Sequence, residues 1–227
     1  MLDPLPSHVS FSSILNARTD EWGPAVKGRS VEGARDLLVS YRDELLAENQ
    51  VQNLTRIIEA EDFYQNNVLD CLALERSGFL SGQCAYDLGS GGGIPGLLHG
   101  CLNAEQKWVL GDSELKKAAF LARCANTLGL SNVSAVGGRA EDVLITKPEV
   151  SAVVSRAVGP VERLFNWIQN CSTWNTLILF KGPSWSEEWS AFQSTGKRNR
   201  LKISGEYPYV VGVAEKKQRL LIKLIRN

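Results

Sequence analysis

The sequence predicts an α/β fold in which a mostly parallel sheet ends in an antiparallel hairpin at one edge and is preceded by a helical cap. Three observations support this prediction. Apolar residues recur at helical spacing up to about residue 84. From there, short apolar runs alternate with helical segments, which is typical of a parallel sheet. A glycine-dense turn joins the first of these runs to the helix that follows it.

The part of the chain before the sheet divides into an arm and a cap. Residues 1–29 are rich in Pro, Ser and Gly and lack a clear period, which predicts a loose arm or a short helix. Residues 31–49 and 55–74 carry apolar residues three and four positions apart, which predicts two amphipathic helices. We therefore expect a loose arm over residues 1–29, a helical cap over 30–83 and the sheet domain over 84–227.

The sheet domain contains a series of predicted strands and helices. Consecutive apolar residues such as Val150-Ser-Ala-Val-Val154 fit strands that are buried on both faces of a parallel sheet. Two further strands, around 201–213 and 219–225, are joined by a short turn and predict the antiparallel edge hairpin. The other predicted strands lie near 84–87, 107–112, 133–136, 150–155 and 176–181, and the helices near 94–104, 114–129, 140–145, 160–170 and 184–195.

The glycine-dense turn spans residues 85–96, Ala-Tyr-Asp-Leu-Gly-Ser-Gly-Gly-Gly-Ile-Pro-Gly, and contains the strand-ending acid Asp87. Glycines such as Gly89 and Gly91 accept positive φ and let a ligand lie against the peptide backbone. Pro95 suits the first turn of the next helix, where its missing N–H is not needed. We therefore expect a nucleotide-like cofactor at the carboxyl edge of the sheet.

Two cofactor classes compete for this turn. Gly91-x-Gly93-x-x-Gly96 matches the dinucleotide fingerprint, and Asp112, after the next strand, suits the ribose hydroxyls of either class. Asp87 distinguishes the two cofactor classes, because a carboxylate at this position favours a cationic amino or sulfonium group over a pyrophosphate. The edge hairpin is also a feature of methyltransferase sheets. The sequence thus favours S-adenosylmethionine, with a dinucleotide or a turn without ligand as the alternatives.

Length and composition restrict the class of protein. With 227 residues and 44% hydrophobic content, the chain can bury one substantial core and a small helical annex. It has no apolar run of ~20 residues and no secretory signal at its start, so we expect a cytoplasmic protein without a membrane span. Five cysteines without a Cys-x-x-Cys pair and only two histidines predict buried thiols, no metal site and no histidine-based triad.

The zero net charge conceals an uneven distribution. Residues 197–227 carry nine Lys or Arg against two Glu, and the rest of the chain carries 16 basic and 23 acidic residues. The segment 197–202 and the group Lys216, Lys217 and Arg219 are expected to form one electropositive surface for a phosphate backbone. The alternative is a solvated strand-and-turn face.

Seven short motifs carry a resemblance to a known family. In order they are Asn53-Leu-Thr55, Val68-Leu-Asp70, Asp87 to Gly96, Asp112-Ser-x-x-Lys-Lys117, Arg139-Ala-Glu141, Ser155-Arg-Ala157 and Lys181-Gly182. Over about residues 30–227 the chain resembles the GidB/RsmG family of bacterial small-subunit ribosomal RNA guanine-N7 methyltransferases. The resemblance implies a class I, Rossmann-like methyltransferase fold, S-adenosylmethionine as cofactor, and methyl transfer to N7 of one guanine in 16S rRNA or the small ribosomal subunit.

The resemblance also implies which residues contact the cofactor. Glu141 or the backbone N–H of Ala140 would face the adenine edge, Ile94 would form an apolar wall, and Arg156 would hold the methionine carboxylate or guanine O6. The alternatives are a helix N-terminal acid for Glu141 and a surface ion pair for Arg156. With the acids and glycines of the loops, the predicted cofactor-binding residues are Asp87, Gly89, Gly91, Ile94, Asp112, Ala140, Glu141 and Arg156.

RNA contacts are expected on basic residues. Some of them occupy positions where the family also has basic residues and follow the second predicted strand, and the others lie in the C-terminal segment. The alternative is that these residues contact only solvent. The set is Lys116, Lys117, Arg123, Lys197, Arg198, Arg200 and Arg219. The chain departs from the family at Asn67, where a histidine is usual, and at Glu48, where a tryptophan is usual. Both lie in the cap, so they bear on the RNA target, and Asn67 and Arg156 are candidate residues of the substrate pocket.

The expected chemistry requires no catalytic acid or base. Guanine N7 carries a free lone pair and no proton, so alignment and desolvation are sufficient, and they can lower the barrier by ~7–11 kcal/mol. The segment after the fourth strand, Ser155-Arg-Ala157, lacks the Asn-Pro-Pro-aromatic and Pro-Cys sequences of other methylases. An NAD(P)-dependent oxidoreductase and a non-catalytic RNA-binding module remain as alternatives. We expect a monomer.

Overall fold

The helical part of the chain precedes the sheet, as predicted. The computed structural model describes residues 9–80, 82–197, 199–212 and 215–227. The cap helix α3 begins after Ser30, whose side chain accepts a hydrogen bond from Gly33 N, and ends at Asn53, which is left-handed with φ 37°. The N-terminal elements are α1 (Phe11–Ala17), α2 (Thr19–Trp22), a 3₁₀-helix (Gly23–Ala25), α3 (Val31–Gln52), α4 (Ala60–Phe63), a π-helical turn (Tyr64–Val68) and α5 (Leu69–Ser77).

The remaining elements form one seven-stranded sheet with helices on both faces. Its strand order is β3-β2-β1-β4-β5-β7-β6, and only β7 is antiparallel to its neighbours. The predicted sheet and edge hairpin are therefore confirmed. The strands are β1 (Cys84–Leu88), β2 (Trp108–Asp112), β3 (Val133–Gly137), β4 (Val150–Arg156), β5 (Thr176–Lys181), β6 (Leu201–Val211) and β7 (Lys217–Arg226), and the helices are α6 (Gly96–Leu102), α7 (Leu115–Thr127), α8 (Ala140–Ile145), α9 (Val161–Ile168) and α10 (Trp185–Gln193).

The described part of the N-terminal arm is packed and contains the short helices α1 and α2. This corrects the expectation of a loose arm for residues 9–29 and agrees with the alternative of a short helix. Phe11, Ile14, Leu15 and Trp22 are almost fully buried, and the indole N–H of Trp22 donates to Leu15 O at 2.7 Å. Phe11, Ile14 and Leu15 are at helical spacing, but the segment is too short for this spacing alone to predict packing against the cap. Burial of each against the cap is nevertheless worth about 1.5–3 kcal/mol. Residues 1–8 lie outside the described residues.

Two hydrophobic clusters cover the two faces of the sheet. One joins the arm and cap to α6, α7 and the sheet, and includes Leu38, Phe63, Leu110 and Ile178. The other packs α8, α9 and α10 on the opposite face. Cap and sheet thus share a core, so the cap is fixed in position over the carboxyl edge of the strands. None of the described helices combines the length and the apolar composition of a membrane span.

Candidate active site

The glycine turn between β1 and α6 is held by backbone hydrogen bonds to the neighbouring strand. The amides of Gly89 and Ser90 both donate to Gly111 O at 2.9 Å. Gly89 and Gly91 have φ of 73° and 56°, the left-handed region that favours glycine. A Cβ at Gly91 would meet only Gly89 O, at 3.9 Å, so this residue presents bare backbone to open space. The turn therefore has the form that the sequence predicted for a ligand-binding loop.

Gly89 also allows a close contact with the loop after β4. A Cβ on Gly89 would lie 2.6 Å from Cγ2 of Val158. We expect Gly89→Ala to lower the free energy of unfolding by about 2–3 kcal/mol, because steric overlap adds to left-handed strain. Gly129→Ala is the matched control, since Gly129 has φ 64° and open space at its Cβ. Urea unfolding of both variants measures the difference, and equal losses would contradict the contact with Val158.

The cap supports the same loop from its other side. The hydroxyl of Tyr41 on α3 donates to Gly92 O at 2.8 Å, and a Cβ on Gly92 would lie 2.8 Å from Cδ1 of Leu45. Ile94 packs against the cap-side cluster and is absent from the lining of the cavity that contains Ala140 and Glu141. The structure thus does not bring Ile94 to the residues expected at the adenine edge.

Asp87 is the most deeply buried acid of the loop. One carboxylate oxygen, Oδ2, accepts a hydrogen bond from Gly96 N at 2.9 Å, and the other, Oδ1, is buried without a hydrogen-bond partner. Burial raises the pKa of Asp87 to about 7, while the hydrogen bond from Gly96 opposes this rise. An acceptor without a partner is costly in the interior. Asp87 is therefore suited to a ligand that brings a donor or a positive charge.

Asp112 links the ends of β1 and β2. Its Oδ2 accepts from Gly91 N at 3.0 Å and its Oδ1 from Glu114 N at 2.9 Å. Each carboxylate oxygen keeps a further lone pair, so Asp112 can still accept hydrogen bonds from ribose hydroxyls. This carboxylate both shapes the glycine turn and faces the adjoining cavity.

A cavity opens at the carboxyl ends of β1, β2 and β3, where ligands bind in open α/β sheets. It brings together four of the predicted cofactor residues, whereas Asp87, Gly91, Ile94 and Arg156 are not among the residues that line it. Sequence reasoning missed Tyr86, Val158 and Trp167. Tyr86 packs closely on β2, since a Cβ on Gly111 would lie 1.9 Å from the Tyr86 hydroxyl oxygen, and this contact is visible only in the structure. The lining residues are Tyr86, Leu88, Gly89, Gly111, Asp112, Ser113, Gly138, Arg139, Ala140, Glu141, Val158 and Trp167.

Arg156, at the end of β4, belongs to a charged cluster that the sequence did not reveal. Its Nε lies 2.6 Å from Oδ2 of Asp70, a fully buried carboxylate in α5. Arg219 of β7 lies 2.6 Å from the same oxygen, and the hydroxyl of Tyr209 of β6 donates to Asp70 Oδ1 at 2.7 Å. We call Asp70, Arg156, Arg219 and Tyr209 the Asp70 cluster. It joins the cap, the central sheet and the edge hairpin.

The π-helical turn of the cap completes this cluster. Arg156 donates to Asn66 O and Asn67 Oδ1 at 3.0 and 2.9 Å, and Arg219 donates to Asn66 O and Oδ1. Asn67 is fully buried, and its Nδ2 has no hydrogen-bond partner. Two guanidinium groups share one carboxylate, so the cluster has excess positive charge. Ala157, next to Arg156, has φ 60°, a strained conformation of the kind found at functional sites.

The predicted basic residues do not share one surface, which corrects the expectation of a single electropositive face. Leu201 pairs with Arg226, and Ile225 pairs with Thr176 at the start of β5, so Lys197 and Arg200 lie at the amino edge of the sheet. Lys216 and Lys217 lie at the other end of the hairpin, roughly 30 Å away along an extended strand. Arg219 is mostly buried on Asp70, and Arg198 lies outside the described residues.

The basic residues of α7 differ in their surroundings. Lys116 is exposed, and Lys117 forms an ion pair with Glu114 at 2.7 Å. Arg123 pairs with Glu48 of α3, so the residue that departs from the family pattern neutralises one of the expected RNA contacts. Lys116 and Lys117 remain the positive groups of α7 that are nearest to Asp112 in sequence.

The cysteines and acidic residues in the described part of the chain are the candidates for nucleophiles and metal ligands. Cys71, Cys101, Cys124 and Cys171 are buried as predicted, and none of the five cysteines is in a disulfide. Burial raises the pKa of Cys124 to about 12, which makes it a poor nucleophile. Among the residues that the structure describes, no group of three or more His, Cys, Asp or Glu is placed to hold a metal ion.

Fold and site together define a class I, Rossmann-like methyltransferase. The strand order with an antiparallel β7 beside β5, and the acid-containing glycine turn after β1, are its defining features. A solved structure of the Bacillus subtilis tRNA methyltransferase TrmK shares this fold, with a TM-score of 0.51 and 14% identity over 72% of this chain and 66% of TrmK.

The chain belongs to the family described as rRNA small subunit methyltransferase G (GidB), whose model matches residues 34–221. A relative of that description from Neisseria gonorrhoeae is 34% identical over 207 residues, 91% of this chain and 89% of the relative. Another, from Mesoplasma florum, is 30% identical over 177 residues, 77% of this chain and 75% of the relative. The resemblance seen in the motifs is therefore confirmed, and the oxidoreductase alternative loses its support.

Proposed function

We propose that this protein transfers a methyl group from S-adenosylmethionine to N7 of one guanine in 16S rRNA. The observation that carries the proposal is a family match over residues 34–221 together with an acid-containing glycine loop that is open to a ligand. The proposed substrate is the small-subunit rRNA, free or in the assembled particle. The proposed setting is the cytoplasm, with the protein acting as a monomer.

The residues present fit the cofactor. Asp87 Oδ1 is a buried acceptor without a partner, which suits the amino or sulfonium group, and Gly89 and Gly91 leave their backbone accessible. Asp112 would accept hydrogen bonds from the ribose hydroxyls, and Ala140 and Glu141 line the same cavity for the adenine edge. When bound, S-adenosylmethionine supplies an electrophilic methyl group on a sulfonium.

The surroundings of the reaction favour a ring nitrogen as the acceptor. N7 of guanine attacks through its lone pair and releases no proton, so no general base is needed at the end of β4, where the chain has Ser155 and Arg156 followed by Ala157. Asp70 holds Arg156 in position by an ion pair. The guanidinium of Arg156 could then donate a hydrogen bond to guanine O6 and leave N7 free to react. The protein then acts mainly by orienting the base and excluding water.

The charges at the carboxyl edge suit an RNA backbone. Lys116 and Lys117 lie beyond β2, Lys216 and Lys217 lie at the hairpin turn, and the Asp70 cluster has excess positive charge. Positive groups on both sides of the cavity would hold the phosphates around one target nucleotide. RNA contacts by Lys197 and Arg200 stay a separate prediction, since both residues lie at the amino ends of the parallel strands, away from the cavity.

Transfer of labelled methyl from S-adenosylmethionine to small-subunit rRNA that lacks the modification tests this proposal. We expect one labelled guanine, mapped by chain cleavage at N7-methylguanine. Gly91→Asp places a carboxylate in the open space of the loop and should lower cofactor affinity at least tenfold. Gly129→Asp is the matched control, because Gly129 also has positive φ and open space but lies outside the site.

The possible outcomes separate the alternatives. One labelled guanine that is lost in Gly91→Asp and kept in Gly129→Asp supports both the reaction and the site. Cofactor binding without methylation of rRNA, free or assembled into the particle, would contradict the proposed substrate. Absence of cofactor binding by the wild-type protein would overturn the enzyme function in favour of a non-catalytic RNA-binding module.

A further inference from the structure

The apolar part of the cofactor cavity comes from one face of the sheet. Its larger apolar lining residues all belong to the cluster of α8, α9 and α10 or pack against it. They are Tyr86, Leu88, Ala140, Val158 and Trp167. The cavity has a volume of about 120 Å³, below the ~300–1,000 Å³ of sites that enclose a whole small molecule. It therefore takes one part of the cofactor and leaves the rest outside.

The polar lining indicates which part of the cofactor this is. Asp112, whose proposed partners are the ribose hydroxyls, lies in the lining, whereas Asp87, whose proposed partner is the amino or sulfonium group, does not. In S-adenosylmethionine the adenine ring and the sulfonium are attached at opposite ends of the ribose. The part that enters the cavity beyond Asp112 is therefore the adenine ring, which needs a flat apolar surface.

Two aromatic rings occur among the described lining residues, and they differ in exposure. Tyr86 is 1% exposed, and its hydroxyl lies against the backbone of Gly111 in β2. Trp167 of α9 is only half-buried. Nucleobases bind favourably by stacking on the faces of aromatic side chains. Trp167 is therefore the lining ring with the larger surface for adenine.

Arg163, one turn before Trp167 in α9, covers the outer side of the indole. Its guanidinium carbon lies over the ring, 5.5 Å from the ring centroid. Arg163 and Trp167 both line a groove outside the cavity, but Arg163 is absent from the cavity lining. The guanidinium thus contacts the ring from the groove and leaves the cavity side of the ring to a ligand.

The loop after β4 fixes Arg163 in turn. Nη2 of Arg163 donates a hydrogen bond to Val158 O, and Val158 lines the cavity. Gly159 leaves space for the guanidinium, since a Cβ on Gly159 would lie 2.1 Å from Nη2. One arginine side chain therefore connects the loop that lines the cavity with the indole that lines it.

We propose that Trp167 provides the surface on which the adenine ring of S-adenosylmethionine is bound, and that Arg163 is the positioning residue that holds this surface. The inference deepens the proposed function and rests on its cofactor. It is independent of the RNA substrate, since neither residue is proposed to contact RNA. The alternative is a tryptophan that only packs α9 against the sheet.

Calorimetric titration with two adenosine ligands tests the role of Trp167. S-Adenosylhomocysteine contains the amino acid part of the cofactor, and 5′-methylthioadenosine lacks it. Trp167→Leu should weaken binding of both ligands about tenfold, the loss of one stacked base, and Trp167→Phe, which keeps a flat ring, less than about threefold. Trp189→Leu is the matched control, because Trp189 is half-buried against the same cluster and does not line the cavity.

Equal affinities of Trp167→Leu and Trp189→Leu would overturn the proposal. A loss confined to S-adenosylhomocysteine would also overturn it, because the indole would then act on the amino acid part. If Trp167→Leu fails to fold, fluorescence decides. Adenine stacked on an indole quenches its emission, so S-adenosylhomocysteine should quench the wild-type protein and Trp189→Phe but not Trp167→Phe. A quench that persists in Trp167→Phe would contradict the stacking.

A double-mutant comparison tests Arg163. Arg163→Met removes the guanidinium from an exposed side chain and should weaken binding of both ligands about threefold, since an exposed cation–π contact is weak. In the Trp167→Leu background the same substitution should have no further effect, because Arg163 acts through the indole. Equal effects in the two backgrounds would show that Arg163 does not position Trp167.

Cofactor binding and methylation report on different proposals. A wild-type protein that binds S-adenosylhomocysteine but methylates neither rRNA nor the particle contradicts the proposed reaction, while the variants still test Trp167. Methylation by the wild-type protein together with equal affinities of Trp167→Leu and Trp189→Leu contradicts the role of Trp167 alone. A wild-type protein that binds neither adenosine ligand overturns both proposals.

Discussion

Asp70→Asn is expected to lower the free energy of unfolding by about 3–5 kcal/mol, as the loss of one partner from a buried ion pair does. The substitution keeps the shape of the side chain but removes the negative charge that Arg156 and Arg219 both contact at 2.6 Å. Two mostly buried guanidinium groups would then lack a counter-charge. Because the cluster joins cap, β4 and hairpin, methylation should fall as well.

Urea unfolding with an exposed acid as the control measures this effect. Asp36 forms an ion pair with Arg35 at 2.9 Å, but its side chain is 69% exposed. Asp36→Asn should therefore change the free energy of unfolding by less than about 1 kcal/mol. A loss of similar size in the two variants would show that the Asp70 cluster contributes no more than a surface pair.

Asp87 should make cofactor binding depend on pH. Its pKa is raised to about 7 by burial, so the carboxyl is largely protonated at pH 6 and largely ionised at pH 8. A cationic cofactor needs the ionised form, and its affinity should rise about tenfold between these pH values. Asp87→Asn should weaken binding about a hundredfold and remove most of this dependence, because a charge-assisted contact is lost.

The stability of the free protein should follow the opposite trend. The folded pKa of Asp87 exceeds its ordinary value of 3.8, so its protonation favours the folded state at low pH. That contribution is complete below pH 3.8 and is lost as the pH rises through 7. Calorimetric titration and unfolding between pH 5.5 and 8 test both trends, with the exposed Asp142→Asn as the control. A pH-independent affinity in the wild-type protein would contradict the role of Asp87.

These two acids show how the cap contributes to the site. Asp87 belongs to the glycine loop, which Tyr41 and Leu45 of α3 support from the cap side. Asp70 belongs to α5 and holds Arg156 at the end of β4. The cap therefore supports both the glycine loop and Arg156; Asn67 accepts a hydrogen bond from Arg156, and Glu48 pairs with Arg123 of α7.

The order of the elements and the position of the glycine loop could be predicted from the sequence alone. Strand and helix periods are local, and they predicted every strand from β1 to β7 to within a few residues. The glycine turn is equally local, because the glycines and the acid that form it are close together in the sequence. Family membership followed from seven such motifs, each readable without knowledge of its spatial neighbours.

Which charged side chains are in contact became visible only in the folded structure. Asp70 and Arg219 are 149 residues apart, yet share a buried ion pair, and no period connects them. Lys197 and Lys217 are close in sequence but lie at opposite ends of a long hairpin. The burial of apolar residues 11–25 is likewise set by their packing against the cap. Long-range contacts of this kind leave no local signal, so the packing of the arm and the Asp70 cluster could not be predicted.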